Sequence, residues 1–126
     1  MARILVIEDV DEVRWMIRRT LEAQGYEVVE ASGGIEGVEL FREKPTDLIV
    51  TDILMPDKEG IEIIRELSSE FPDVKIIAIS GGGKMGPYDY LELAKKFGAS
   101  RTLAKPFGVK ELIKIVQELL PGGEDS

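Results

Sequence analysis

The chain has 126 residues, of which 24 are acidic and 16 basic, for a net charge of −8; at about 150 residues per domain this is one domain and excludes a multidomain enzyme. It contains no cysteine and no histidine, so it has no thiol nucleophile, disulfide or imidazole base, which excludes a Ser-His-Asp hydrolase, a cysteine protease and a zinc enzyme. The acidic excess opposes binding to nucleic-acid phosphates and to anionic membranes, so neither is expected as a partner. The N-terminal apolar run, Ile4 to Ile7, stops at Glu8; it is too short for a signal-peptide core or a membrane span, and the expected location is the cytoplasm.

Short apolar runs alternate with longer amphipathic segments, the pattern of parallel strands joined by crossover helices. The first strand is Arg3 to Ile7, and its continuous Ile4-Leu5-Val6-Ile7 run suits a strand covered on both faces. A helix from Asp11 to Gln24 follows, with Val13, Met16, Ile17, Thr20 and Leu21 at helical spacing, Trp15 off that stripe and Gly25 as the stop. Glu27 to Ala31 reads as a second strand and Gly34 to Glu43 as a helix turning Ile35, Val38 and Phe41 inward, ended by Lys44-Pro45. The third strand is Asp47 to Asp52; after the Met55-Pro56-Asp57 turn comes a helix to Glu70 with Ile61, Ile64 and Leu67 inward, and Pro72-Asp73 breaks the chain again. The fourth strand, Val74 to Ser80, runs into the loop Gly81-Gly82-Gly83-Lys84-Met85-Gly86-Pro87. A helix from Tyr88 to Phe97 closed by Gly98, a strand from Arg101 to Ala104 and a helix from Val109 to Leu120 with Leu112, Ile113, Val116 and Leu119 inward complete five βα units. Residues 1–120 make the domain, and Pro121 to Ser126 a flexible tail.

Open parallel sheets bind ligands outside the carboxyl ends of their strands. Four of the five ends carry reactive groups: Glu8 and Asp9 after the first strand, Asp52 after the third, Ser80 after the fourth and Lys105 after the fifth. Carboxylates brought together repel one another, so such a cluster either raises a pKa or recruits a hard cation. An oxygen-only ligand set without histidine points to Mg²⁺. Lys105 as a point charge and the Ser80 hydroxyl as a donor suit an oxyanion, and the set together suits a phosphoryl acceptor.

The spacing of Glu8-Asp9, Asp52-Ile53-Leu54-Met55-Pro56, Ser80-Gly81 and Lys105-Pro106-Phe107 resembles the receiver domain of two-component response regulators, over Arg3 to about Leu120. The resemblance is to the stand-alone chemotaxis and relay type. It implies a flavodoxin-like α/β fold, (βα)5, with a five-stranded parallel sheet in the order 2-1-3-4-5 and helices on both faces. It further implies that Asp52 accepts a phosphoryl group from a sensor histidine kinase or histidine phosphotransfer protein. Asp9, Asp52 and the Leu54 carbonyl would hold Mg²⁺, with Glu8 helping directly or through water. Lys105 would pair with the phosphoryl oxygens, and Ser80 would move in to bond them. That movement would remodel the face made by the fourth helix, fifth strand and fifth helix, where a downstream protein target docks. The same site is expected to hydrolyse its own acyl phosphate. The resemblance also greatly raises the chance of a cis Lys105-Pro106 bond above the base rate for X-Pro.

Two features depart from the family pattern. The switch position three residues before the lysine, usually aromatic, is Thr102, and the triple-glycine loop after Ser80 is longer than usual; output then runs through backbone shifts or through Tyr88, Tyr90 or Phe107. Two rivals follow. A pseudo-receiver would keep the fold without the switch. A haloacid-dehalogenase-type phosphohydrolase would use Asp9-Val10-Asp11 as its DxD motif, but no acidic residue after Lys105 falls at a strand end. Taken alone, Asp9 or Asp11 reads as a helix N-cap, and Arg14, Arg18 and Arg19 as a solvated basic face.

Overall fold

The computed structural model describes residues 2–53, 60–80 and 87–120, and for 87–91 the backbone only. The elements alternate strictly: β1 (Arg3–Ile7), α1 (Asp11–Ala23), β2 (Glu27–Ala31), α2 (Gly34–Glu43), β3 (Leu48–Asp52), α3 (Gly60–Glu70), β4 (Ile76–Ser80), α4 (Pro87–Phe97), β5 (Arg101–Ala104) and α5 (Val109–Leu119). The five strands form one parallel sheet in the order β2-β1-β3-β4-β5, the flavodoxin-like order expected above. All carboxyl ends therefore open on one edge, and the order reverses beside β1 and β3, where a doubly wound sheet leaves its crevice.

Two cores, one on each face, explain the continuous apolar strands. Leu5 and Ile7 of β1, Ile49 of β3 and Ile76 and Ala78 of β4 pack under α2, α3 and α4 through Val38, Phe41, Ile63, Ile64, Leu67 and Ala94. The alternate residues Ile4, Val6, Leu48, Val50, Ile77 and Ile79 face α1 and α5 through Ile17, Leu21, Leu112, Ile115 and Val116. With successive side chains on opposite faces and a helical layer over each, the central strands are apolar except toward their carboxyl ends, where Thr51, Asp52 and Ser80 are buried.

Several expected details shift. Ile35 is 53 % exposed, not inward. The buried arc of α2 runs through Gly34, Gly37, Val38 and Phe41, the i, i+3, i+4, i+7 stripe. A Cβ on Gly37 would lie 2.5 Å from Ile7 Cδ1, so the missing side chain lets helix and strand meet. In α3 the fully buried residues are Ile63, Ile64 and Leu67, with Ile61 only partly covered. In α5, Ile115 is buried and Ile113 half-buried. β4 starts two residues later than expected because Val74 N–H bonds the Phe71 carbonyl in a turn. α4 starts at Pro87, where the missing N–H costs a helix nothing. Neither Asp9 nor Asp11 caps α1; its N-cap is Val10, extended and without a side-chain cap. Gly25 and Gly98 do end their helices, at φ +93° and +123°, the left-handed region that favours glycine.

Candidate functional site

The sheet carries each expected polar residue to the same edge by strand register. β1 ends at Ile7, paired with Thr51, and β3 continues one residue to Asp52, paired with Ile79. Glu8 and Asp52 thus emerge from adjacent strands, and Asp9 joins them: one carboxylate oxygen from each lies within 4.8 Å of the others. Ser80 pairs with Ala104, and the Lys105 N–H donates to the Ser80 carbonyl at 2.8 Å, which delivers the lysine to the cluster from the far side. The Lys105-Pro106 bond is cis. Lys105 Nζ donates to Glu8 Oε1 at 3.0 Å and to Asp52 Oδ2 at 3.2 Å, bridging residues 97 and 53 positions away.

The bed of the site is hydrogen-bonded backbone. Ile53 N–H donates to the Ile79 carbonyl, and Gly60 N–H donates to the Ile53 carbonyl at 2.7 Å, folding the start of α3 onto the end of β3. A Cβ on Gly60 would lie 2.4 Å from the Asp52 carbonyl oxygen and 2.5 Å from Ile53 Cα. Only glycine allows that approach, a position for which the sequence offered the absence of a side chain as its sole clue.

Glu8 (1 % exposed) and Asp52 (5 %) are carboxylates at core-level burial, which is costly unless they are paired. Burial, and then the Asp52 charge, push the Glu8 carboxyl up to about 7, against the pull of Lys105 and of the Val10 N–H, which donates to Glu8 Oε2 at 3.2 Å. Burial would lower the Lys105 pKa, but its hydrogen bond to Glu8 and the charge of Asp52 outweigh this and hold it above the usual lysine value. One ammonium against three carboxylates leaves an excess of negative oxygen donors, and this donor set fits a hard divalent cation. The Ser80 hydroxyl is fully buried at the same edge and has no hydrogen-bond partner among the described residues.

Other expected residues fall elsewhere. Asp11 turns away from the cluster into an ion pair with Arg14 at 2.6 Å, its own side chain 84 % exposed. Asp9 and Asp11 therefore do not form the DxD pair of a phosphohydrolase. Arg14, read above as part of a solvated face, is 16 % exposed and bonded to three acceptors; Arg18 is paired with Glu22 and Glu30. Arg19 lies over the Trp15 ring at 5.1 Å. Thr102 sits on β5 paired with Ala78, half-buried. Leu54, the glycine loop at 81–83, the side chains of Tyr88 and Tyr90 and the tail from 121 lie outside the described residues.

A doubly wound parallel sheet with a lysine-bridged acidic cluster at its central strand ends defines a class of phosphoryl-acceptor α/β domains. The chain belongs to the response regulator receiver domain family, whose sequence model matches residues 4–117. The sensor kinase CckA of Brucella abortus (strain 2308) is 38 % identical over 121 residues, spanning 94 % of this chain but 12 % of that protein. The response regulator receiver protein CpdR of the same organism is 32 % identical over 120 residues, spanning 95 % of this chain and 98 % of that protein. Among solved structures, the response regulator protein TrrA of Thermotoga maritima in complex with Mg²⁺-BeF superposes with a TM-score of 0.84 at 30 % identity, covering 94 % of this chain and 99 % of that one. The family consists of phosphoryl-acceptor switches of two-component systems, signalling proteins that bind Mg²⁺ at an acidic cluster and interact with histidine kinases or phosphotransfer proteins. No described helix is long and apolar enough to cross a membrane.

Proposed function

We propose that Asp52 is the phosphoacceptor, with Glu8, Asp9 and Asp52 holding Mg²⁺. The Leu54 carbonyl, assigned to the metal by resemblance, lies outside the described residues. The observation that carries the reading is the buried Asp52 carboxylate, grouped with two other carboxylates and bonded to Lys105. An Asp52 oxygen forms the new P–O bond as the donor's P–N bond breaks, and the electron pair leaves with the partner's imidazole. The metal, when bound, neutralises charge on the phosphoryl oxygens and on the attacking carboxylate. Lys105, already at the acceptor oxygen, exchanges its carboxylate contact for a phosphoryl oxygen. The buried Ser80 hydroxyl, with no partner among the described residues, gains an acceptor in the phosphate, and its shift toward the phosphate is passed through the backbone to β5, where Thr102 holds the switch position.

On this reading residues 1–120 are the receiver domain and 121–126 a tail. The phosphodonor is a sensor histidine kinase or histidine phosphotransfer protein, and a downstream protein docks on the face of α4, β5 and α5. The setting is the cytoplasm, away from nucleic acid and membrane, and hydrolysis of the acyl phosphate in the same site resets the switch. The test is intact mass after incubation with acetyl phosphate and Mg²⁺. Wild type should gain one phosphate, and neither Asp52→Asn nor wild type in EDTA should gain any. A folded wild type that gains none would overturn the reading.

A further inference from the structure

Glu8 is held at every hydrogen-bonding group it has. Its N–H donates to the Ala31 carbonyl of β2 at 3.1 Å, Oε1 and Oε2 accept from Lys105 and from Val10 N–H, and its carbonyl accepts from Arg14 Nη1 at 2.8 Å. That last bond matters for the neighbouring residue: the Glu8 carbonyl and the Asp9 N–H share one planar peptide unit, so fixing the oxygen fixes the direction in which the chain enters Asp9. The same guanidinium donates through Nη2 to Asp11 at 2.6 Å and through Nε to Glu30 of β2 at 3.3 Å, and Glu30 is itself held by Arg18 Nη1 at 2.6 Å. One side chain, 16 % exposed, thus ties the turn after β1 to the first turn of α1 and to the edge strand β2.

From this geometry we infer that Arg14 is a positioning residue for the metal-binding turn: its guanidinium clamps the Glu8–Asp9 peptide and so aims the Asp9 carboxylate into the cation site. The inference rests on the proposal that Glu8, Asp9 and Asp52 hold Mg²⁺. Arginine suits the task because its planar fork presents donors in several fixed directions, whereas a lysine ammonium is a single point of charge. Asp11 and Glu30 offset the guanidinium charge, so the clamp adds little repulsion toward a bound cation. A residue outside the ligand set that orients it is worth about 10- to 100-fold in metal affinity.

Charge and geometry predict opposite signs, which makes the test decisive. Deleting a cation near a Mg²⁺ site tightens binding if only Coulomb repulsion matters; it weakens binding if the clamp is what orders the turn. Mg²⁺ affinity is measured by titration calorimetry on the full chain for wild type, Arg14→Gln, Arg14→Lys, Asp9→Asn and Arg42→Gln. Arg42 pairs with Glu66 and Glu70 between α2 and α3 and serves as a remote ion-pair control. Expected are losses of about tenfold or more for both Arg14 variants, a larger loss for Asp9→Asn, and none for Arg42→Gln. Wild-type or tighter affinity in a folded Arg14→Lys, which keeps the charge and removes the fork, would overturn the clamp while leaving the metal site intact. Asp9→Asn binding Mg²⁺ like wild type would instead overturn the metal site, and the clamp with it. Should Arg14→Gln not fold, Arg14→Lys decides, with faster hydrogen exchange of the Val10 amide as its second readout.

Discussion

Replacing Glu8 with glutamine turns the charge imbalance of the site into a stability measurement. In the metal-free protein the folded state holds the Glu8 carboxyl at about 7, against 4.5 when it is solvated. Its folded pKa is raised, so the folded state binds this proton more tightly than the unfolded one; stability is greatest below 4.5 and is lost as pH climbs through 7. At 1.36 kcal/mol per pKa unit, the full span costs about 3 kcal/mol, most of which falls between pH 5 and pH 8. Glutamine keeps the shape and an acceptor for the Val10 N–H but has no proton to lose. Urea unfolding in EDTA, followed by circular dichroism at both pH values, should therefore show wild type losing about 2 to 3 kcal/mol relative to Glu8→Gln on going from pH 5 to pH 8. Groups titrating away from the acidic cluster are common to both proteins and cancel in the comparison. Adding Mg²⁺ at pH 8 to about 100 times its Kd should return about 2.7 kcal/mol to wild type and less to the variant. Parallel stability curves from pH 5 to pH 8, or a wild type that gains on the variant, would refute the reasoning.

Three further outcomes follow from the same geometry. Gly60→Ala places a methyl against the Asp52 carbonyl and Ile53 Cα, backbone that cannot swing aside; a loss of about 1 to 3 kcal/mol in urea unfolding is expected, together with slower phosphate uptake by intact mass. Ser80→Ala removes a buried hydroxyl with no partner among the described residues, so the unphosphorylated protein should be unchanged or stabilised by up to about 1 kcal/mol in thermal unfolding. A loss above that range would show that the hydroxyl is already satisfied. Lys105→Ala should still gain phosphate, yet amide NMR shifts on phosphorylation should shrink to the immediate neighbourhood of Asp52. Wild-type shifts along β5 would show that Lys105 does not couple the phosphate to the rest of the domain.

The strands and the polar residues at their ends were legible along the chain. Ile4 to Ile7, Leu48 to Val50 and Ile76 to Ile79 are continuous apolar runs because both faces of the sheet are covered, and a parallel sheet sends every carboxyl end to one edge. Glu8, Asp9, Asp52, Ser80 and Lys105 therefore had to converge once the βα alternation was recognised. Helix faces were less legible. Ile35 is the most apolar residue in its first turn, but the inward arc passes through Gly37, whose value lies in the room it leaves for Ile7, something hydropathy does not register.

Pairing was decided by the tertiary structure alone. That Lys105 bonds Glu8 as well as Asp52, that burial lifts Glu8 to about 7, and that Arg14 leaves its solvated face to hold the Glu8 carbonyl depend on which strands lie side by side and in what register. Asp9 and Asp11 look equivalent in the sequence, two residues apart. One enters the cluster and the other turns outward to Arg14, because the chain between them passes from strand end to helix and carries alternate side chains to different sides. Local composition determined which chemistry was available at the edge of the sheet; long-range packing, through burial and hydrogen bonds between distant residues, decided which groups carry charge and which hold the others in place.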